Sequence, residues 1–195
     1  EKDFEEIVAR NIILATGSKV AELPFLKCDG MHVVSSDDAI AFDSAPDKLI
    51  VIGGGAIGLE LGSVWSRLGS EVTIVEFLPR IAATYDPDIT QIAERIFKKQ
   101  GMKIETAAAV TGVEFNGNQS IVSVDKKGKT LEFPADKVLL SVGRIPYNEG
   151  LGLEEVGISK DDRGQIITDE YFRTNVEGVY AIGDTIEGPM LAHKA

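Results

Sequence analysis

The stretch that decides the fold is Leu49-Ile50-Val51-Ile52-Gly53-Gly54-Gly55-Ala56-Ile57-Gly58-Leu59-Glu60. Its four leading apolar residues read as a strand buried on both faces, entered through a turn at Pro46-Asp47. Gly53 to Gly58 then satisfies G-x-G-x-x-G. Gly53 permits the tight turn out of the strand. Gly55 has no Cβ, so the backbone there can approach a diphosphate, and Gly58 lets the next helix pack closely on the strand. Ile57, Leu61, Val64, Trp65 and Leu68 follow at helical spacing, and Gly69 stops the helix. Val72 and Ile74 mark another strand, ending at Glu76. Strand, glycine turn, helix and parallel strand within about 30 residues form a βαβ unit. The expected fold is α/β: a Rossmann-like domain with a central parallel sheet.

A helix that starts at a glycine turn presents free N–H groups and the positive end of its dipole to an anion. Glu76 stands where a carboxylate accepts hydrogen bonds from the adenosine ribose hydroxyls. The same charge repels a 2′-phosphate, so the pattern favours NAD over NADP; Arg80, four residues on, points the other way. Methyltransferases use a similar turn, but the third glycine and the position of the acid fit a dinucleotide better. Glu60 has two open readings: stabilisation of the helix dipole from its first turn, or contact with the nicotinamide end of the cofactor. Trp65 reads as core. His32 and His193 lack the spacing of metal ligands or of a catalytic base, Cys28 reads as an ordinary thiol, and no metal site is expected.

Outward from this unit, Asp86-Pro87 caps a helix with the apolar stripe Ile89, Ile92, Ala93, Ile96 and Phe97. Lys98 and Lys99 suit its negative end, and Gly101 ends it. Residues 102–133 read as an antiparallel β-meander serving as a crossover, with turns at Asn116-Gly117-Asn118 and Lys126-Lys127-Gly128-Lys129. Val138-Leu139-Leu140-Ser141-Val142 is an apolar strand that stops at Gly143. Upstream, Asn11-Ile12-Ile13-Leu14-Ala15 is a short buried strand closed by Thr16-Gly17-Ser18, and residues 19–45 read as a connection with a short helix near 37–42. Downstream, Ile166-Ile167-Thr168 and Val179-Tyr180-Ala181-Ile182 read as strands. The strand-then-small-residue turn at Leu14-Ala15-Thr16-Gly17 is echoed at Leu140-Ser141-Val142-Gly143. The two flanking apolar strips, at Ile12 and at Val179, are expected to pair with each other, because left alone each exposes a strand edge.

The chain has 195 residues, enough for one or two domains, and carries a net charge of −11. That balance argues against a nucleic-acid partner, which needs a basic face. No apolar run approaches the ~18–20 residues that span a bilayer. The acidic run Glu1-Lys2-Asp3-Phe4-Glu5-Glu6 is unlike an export signal, and a single cysteine leaves no internal disulfide, so a cytoplasmic location is expected.

Four motifs in this order, Ala15-Thr16-Gly17-Ser18, Gly53 to Gly62, Ser141-Val142-Gly143-Arg144-Ile145-Pro146 and Tyr180-Ala181-Ile182-Gly183-Asp184, resemble those of the flavoprotein disulfide reductases. The closing run Gly188-Pro189-Met190-Leu191-Ala192-His193-Lys194-Ala195 is similar to that of the dihydrolipoamide dehydrogenase branch. The resemblance implies an NAD domain inserted in an FAD domain: residues 1–45 a partial FAD-domain segment and connection, 46–147 the NAD-binding domain, 148–195 a second partial FAD-domain segment. It implies NAD contacts from Gly53, Gly54, Gly55, Ala56, Ile57, Gly58, Leu59, Glu60, Glu76, Val110 and Gly143. It assigns Thr16, Gly17, Ser18, Asp184, Met190, Leu191, Ala192 and His193 to an FAD site.

In that family a dithiol reduces a cysteine pair, electrons pass to FAD, and a hydride moves to NAD+. The parent would be a homodimer within a 2-oxo acid dehydrogenase complex. The family's FAD glycine turn, cysteine pair and His–Glu pair do not occur in this sequence. The expectation is therefore a fragment that binds NAD, retains no FAD and is inactive alone. A stand-alone NAD-binding module, or a piece of another disulfide reductase or NADH oxidase, are the competing readings.

Overall fold

A computed structural model describes residues 5–117 and 119–194. Residues 1–4 of the acidic run, Asn118 of the expected turn and Ala195 of the closing run lie outside the described residues. In order the elements are β1 (Ile12–Leu14), β2 (Ser18–Val20), β3 (Val33–Val34), α1 (Ser36–Ile40), β4 (Lys48–Ile52), α2 (Ala56–Arg67), β5 (Glu71–Val75), α3 (Pro87–Lys99), β6 (Lys103–Glu105), β7 (Ala109–Asn116), β8 (Gln119–Lys126), β9 (Lys129–Ala135), β10 (Lys137–Leu140), β11 (Arg144–Pro146) and β12 (Val179–Ala181). Short 3-10 turns follow at Gly183–Thr185 and Ala192–Lys194. The chain divides into two compact units: residues up to Lys19 with those from Arg144 onward, and Val20–Gly143. Among the described residues no helix is long and apolar enough to cross a membrane.

The Val20–Gly143 unit is built on a five-stranded parallel sheet of order β3-β10-β4-β5-β6. Successive strand residues point to opposite faces, and here both faces are covered. Leu49 and Val51 of β4 join Val72, Ile74 and Leu139 against Leu59 and Trp65 of α2. Ile50 and Ile52 point the other way, with Val75, Val138 and Leu140, against Val122 and Val124 of β8 and Ala135 of β9. Double-sided burial is why these strands are apolar runs rather than alternating ones. Trp65 is core as expected, its indole N–H donating to the Ala39 carbonyl at 3.1 Å.

The meander β7-β8-β9 is antiparallel, and its covalent course from β6 to β10 carries the chain from one sheet edge to the far side of β4. The expected meander span begins too early: β6 joins the parallel sheet beside β5, leaving three strands for the meander. The expected connection 19–45 is also more than a connection. Besides the expected short helix, α1, which carries a reciprocal Ser35–Asp38 capping box, it holds β3, paired parallel with β10. Two residues of β3 carry no periodicity; pairing with β10 is what makes them a strand. Residues from Val20 onward accordingly pack with the second unit, with Leu26 and Val33 in its core.

Two further expectations need correction. The stripe of α3 does not face the core as a whole: Thr90 is buried and Phe97 packs on the core, while Ile89, Ile92 and Ile96 are half or more exposed. An apolar stripe read from sequence locates a face of the helix but not its partner. Ile166 makes isolated bridges to Lys160 and Ile186 rather than a strand, and Ile167 is exposed.

In the other unit β1 pairs with β12 in parallel, Ile12 opposite Val179 and Leu14 opposite Ala181, as expected of the two strips. Behind them Leu153, Ile158, Ile166 and Ala181 form a small core. Ile12 and Ile13 themselves remain more than half exposed, so the double-sided burial expected of β1 is not met.

Close approach at the glycine turn makes one measurable demand on stability. A Cβ on Gly58 would lie 2.1 Å from the Gly53 carbonyl oxygen and 2.7 Å from Ser141 Oγ. Gly58→Ala should therefore cost about 2 kcal/mol, within the range for overpacked sites, measured by urea unfolding. A second demand concerns Cys28. Burial, then the carboxylates of Glu22, Asp38 and Asp29, push its thiol up to about 11. The raised value keeps it protonated at neutral pH, because the thiolate dominates only above the folded-state pKa. Relative to an ordinary thiol of pKa 9.0, the thiolate fraction at pH 7.5 falls about a hundredfold at ten per pH unit. Iodoacetamide labelling of the folded chain should slow accordingly and recover in denaturant.

Candidate functional site

The site grows from the point where the strand order reverses. β4 leads through α2 to β5 on one side, while β10 returns to its other side. In open α/β sheets a crevice forms beyond the carboxyl ends of the strands at such a point. Gly53 to Gly58, Glu76 and Gly143 follow the carboxyl ends of β4, β5 and β10 respectively, so the structure brings these expected residues to one edge. Val110 is the second residue of β7, two beyond Ala108, whose N–H donates to the Glu76 carbonyl at 3.0 Å.

Each glycine of the turn has a different surrounding. Gly53 has φ of 106°, and a Cβ there would lie 2.4 Å from the Ser141 carbonyl oxygen. Gly58 is closed off on the other side by Gly53 and Ser141. Gly55 differs from both. It has φ of −78°, which any residue adopts, and none of the described residues lies within 4 Å of where its Cβ would point. Gly55 is the N-cap of α2 and offers no side-chain cap, so the first N–H groups of the helix are left without that partner. The backbone thus forms a cradle that a Cβ on Gly55 would partly fill. Leu59 is buried beneath it in the core.

The Glu76 carboxylate faces the turn. Its Oε2 accepts the Gly54 N–H at 2.6 Å and its Oε1 accepts the Leu78 N–H at 2.7 Å. Arg80 turns to the Ala83 carbonyl, donating from Nη2 at 2.8 Å, and its ordering is accounted for there. Glu60 lies exposed beyond the first turn of α2, which contains no acidic residue. The dipole-stabilising reading of Glu60 therefore loses its geometric basis. Phe77 and Leu78 are exposed beside Glu76 and offer an apolar surface that sequence reasoning does not single out.

Sequence reasoning places Ser141 in a strand and a motif but not in a site, and the structure gives it a further role. Its hydroxyl lies 3.0 Å from the Ile52 carbonyl oxygen and 3.1 Å from that of Gly53, sharing its proton between them at the base of the turn. A lone hydroxyl in an otherwise apolar strand is the signal that could have found it.

In the other unit the turns after β1 and β12 bring Thr16, Gly17 and Ser18 near Asp184. Ser18 Oγ donates to Asp184 Oδ2 at 2.6 Å. Arg144, which sequence reasoning places in a motif but not in a site, donates from Nε to Ser18 Oγ at 2.7 Å and from Nη2 to the Ser18 carbonyl at 2.7 Å. The three residues form a relay in which arginine orients serine and serine orients aspartate. Met190 is half-buried, whereas Leu191, Ala192 and His193 are exposed. Among the described residues no hydrogen bond joins these four to Ser18 or Asp184. A cavity of about 470 Å³ in this unit, lined in part by Lys19, Glu149, Lys160 and Arg163, contains none of the expected site residues. His32 tilts against Phe115 at 5.2 Å, a packing contact.

These features place the chain among known proteins. The model of the pyridine nucleotide-disulphide oxidoreductase family matches residues 1–195. The mitochondrial dihydrolipoyl dehydrogenase of Schizosaccharomyces pombe is 45% identical over 193 residues, covering 98% of this chain and 38% of that protein. The mitochondrial dihydrolipoyl dehydrogenase of Pisum sativum is 48% identical over 191 residues, covering 97% and 38%. Among solved structures, LpdA of Mycobacterium tuberculosis superposes with a TM-score of 0.85 at 30% identity, covering 95% of this chain and 40% of that one. The chain thus spans well under half the length of the relatives it matches. The mitochondrial relatives overturn the cytoplasmic location expected from sequence. That expectation rested on the residues at the start of these 195, and a match to 38% of a longer protein makes them no guide to targeting. On its motifs, its fold and a match along its whole length, this chain is a member of the pyridine nucleotide-disulphide oxidoreductase family.

Proposed function

We propose that the Val20–Gly143 unit binds NAD(H), within a protein that oxidises dihydrolipoamide through a disulfide and FAD and passes the electrons to NAD+. The observation that carries the reading is Gly55. Its backbone conformation is open to any residue and none of the described residues crowds its Cβ position, so packing does not require glycine there. A diphosphate lying against the backbone does. The N–H groups that open α2 would hold that diphosphate, helped by the helix dipole. Glu76 would accept hydrogen bonds from the adenosine ribose hydroxyls, and Phe77 and Leu78 supply apolar surface beside it. Val110 and Gly143 would complete the edge of the crevice, and Glu60, exposed along α2, would contact the nicotinamide end. NAD+, when bound, supplies the electron acceptor; the chain's part is to hold it in position and orientation.

Thr16, Gly17, Ser18 and Asp184, with Met190, Leu191, Ala192 and His193, are proposed to contribute to an FAD site in the same protein. The Arg144–Ser18–Asp184 relay supports this, because it fixes a carboxylate and leaves its second oxygen available to a ligand hydroxyl. Similarity to dihydrolipoyl dehydrogenases over nearly the whole chain favours this branch over an NADH oxidase or a free-standing NAD module. On the same reading the parent is a homodimer serving a 2-oxo acid dehydrogenase complex. The 195 residues by themselves are proposed to be inactive: one cysteine cannot make the redox disulfide.

Isothermal calorimetry on the 195-residue chain should find NAD+ bound at least about tenfold tighter than NADP+, a difference of about 1.4 kcal/mol. Gly55→Val should weaken both cofactors by tenfold or more while leaving the unfolding midpoint within experimental error. Equal affinity for the two cofactors, or a Gly55→Val chain that binds as before, would count against the assignment. The purified chain should also be colourless after dialysis. A persistent flavin absorbance band would show that the flavin-side residues hold FAD unaided.

A further inference from the structure

We infer that the loop following β5 is a positioning element, in which Leu78, Ile81 and Ala82 lock Glu76 in one orientation, and that this lock sets the preference for NAD over NADP. The inference rests on the NAD reading above and concerns what makes the acid effective. An acid on a free side chain can swing away from an incoming 2′-phosphate. Glu76 is not free. Both of its oxygens are held by backbone N–H groups, Gly54 on one and Leu78 on the other. Hydrogen bonds from N–H groups to a carboxylate are among the stronger ones, and rotating the group away breaks both together.

The two donors are themselves fixed by the same loop. The Leu78 carbonyl accepts the Ala107 N–H at 2.9 Å, which ties down the exposed end. Gly54 is held from two sides. Its carbonyl accepts the Ala82 N–H at 2.7 Å, and Ile81, completely buried, stands against the position its Cβ would take, with Cγ2 at 3.0 Å. The Glu76 Cβ lies 3.2 Å from that same point, so Gly54 is boxed between Ile81 and Glu76. Ala82 adopts φ of 45°, a left-handed backbone that alanine seldom takes. Such residues persist where the surrounding structure over-determines them, and they concentrate at ligand clamps. Here the unusual backbone aims one N–H at the carbonyl of the residue whose own N–H holds the acid. The chain of contacts runs from Ile81 and Ala82 through Gly54 to Glu76.

The test is calorimetry of NAD+ and NADP+ with the 195-residue chain, comparing the ratio of the two affinities. Ile81→Ala removes the atom that walls in Gly54, and the ratio should fall at least about fivefold. Ile81→Val keeps a Cγ2 and should restore the ratio to within about twofold of the unmodified chain. Val72→Ala, a truncation in the same core away from the turn, should lower the unfolding midpoint comparably but leave the ratio unchanged. Leu78→Pro deletes the other donor on an exposed loop and should lower the ratio independently, so the inference stays testable if Ile81→Ala does not fold. An unaltered ratio in both Ile81→Ala and Leu78→Pro would overturn the lock, as would an equal fall in Val72→Ala. An unmodified chain that binds neither cofactor, or both equally, would instead overturn the NAD reading on which the lock rests.

Discussion

The contact between the turn after β4 and the end of β10 is the constraint on which the rest of the Val20–Gly143 unit depends. Strands β4 and β10 run side by side in parallel, and the backbone leaving β4 must cross directly over Ser141 to reach α2. There is no room for a side chain at Gly53 or Gly58, where a Cβ would sit 2.4 Å and 2.1 Å from carbonyl oxygens. The Ser141 hydroxyl takes up the space and bonds the carbonyls of Ile52 and Gly53, adding to the bond that the Ser141 N–H already donates to Ile52. This closeness brings α2 down onto the sheet and aims its N-terminus along the strand edge. The open N–H groups at that edge are a geometric by-product of packing, and the proposed function rests on them.

The three glycines consequently answer to different forces. Gly53 and Gly58 are required by the fold whether or not anything binds. Gly55 is required by neither sterics nor backbone conformation, which is the ground of its proposed role in binding. The pattern G-x-G-x-x-G treats them alike, and only the surroundings separate the two crowded glycines from the open one. The same distinction applies to the acid. A glutamate at a strand end is common, but one whose two oxygens are each held by a main-chain N–H is oriented before a ligand arrives.

The turns after β1 and β12 apply the same logic with different chemistry. Two parallel strands end in small-residue turns, and a carboxylate is oriented there by a serine that is itself oriented by Arg144. The echo between Thr16-Gly17 and Val142-Gly143 reflects a shared need: each chain segment leaves a parallel strand through a glycine at positive φ, 74° and 130°. Repetition of the physical problem produces repetition in sequence.

What the sequence by itself determined is whatever depends on contacts near in the chain or on the period of burial. The runs at Leu49 and Val138 are strands because both faces are covered, and a run apolar at every position is what a strand buried on both faces requires. Asp86-Pro87 starts α3 and the glycine turn starts α2 through local backbone chemistry alone. The proposed crevice was legible for the same reason, since the glycine turn and Glu76 lie on consecutive elements and meet at one sheet edge. Tertiary structure decided what depends on partners distant in sequence. β3 exists because β10 pairs with it, and β6 left the meander because the edge of β5 was open to it. The stripe of α3 kept Ile89, Ile92 and Ile96 in solvent because the sheet met only one side of the helix. Ser141 and Arg144 acquired their roles from partners 88 and 126 residues away. Periodicity records how much of a residue is to be buried, but the identity of the neighbour that buries it is settled only when the chain closes on itself.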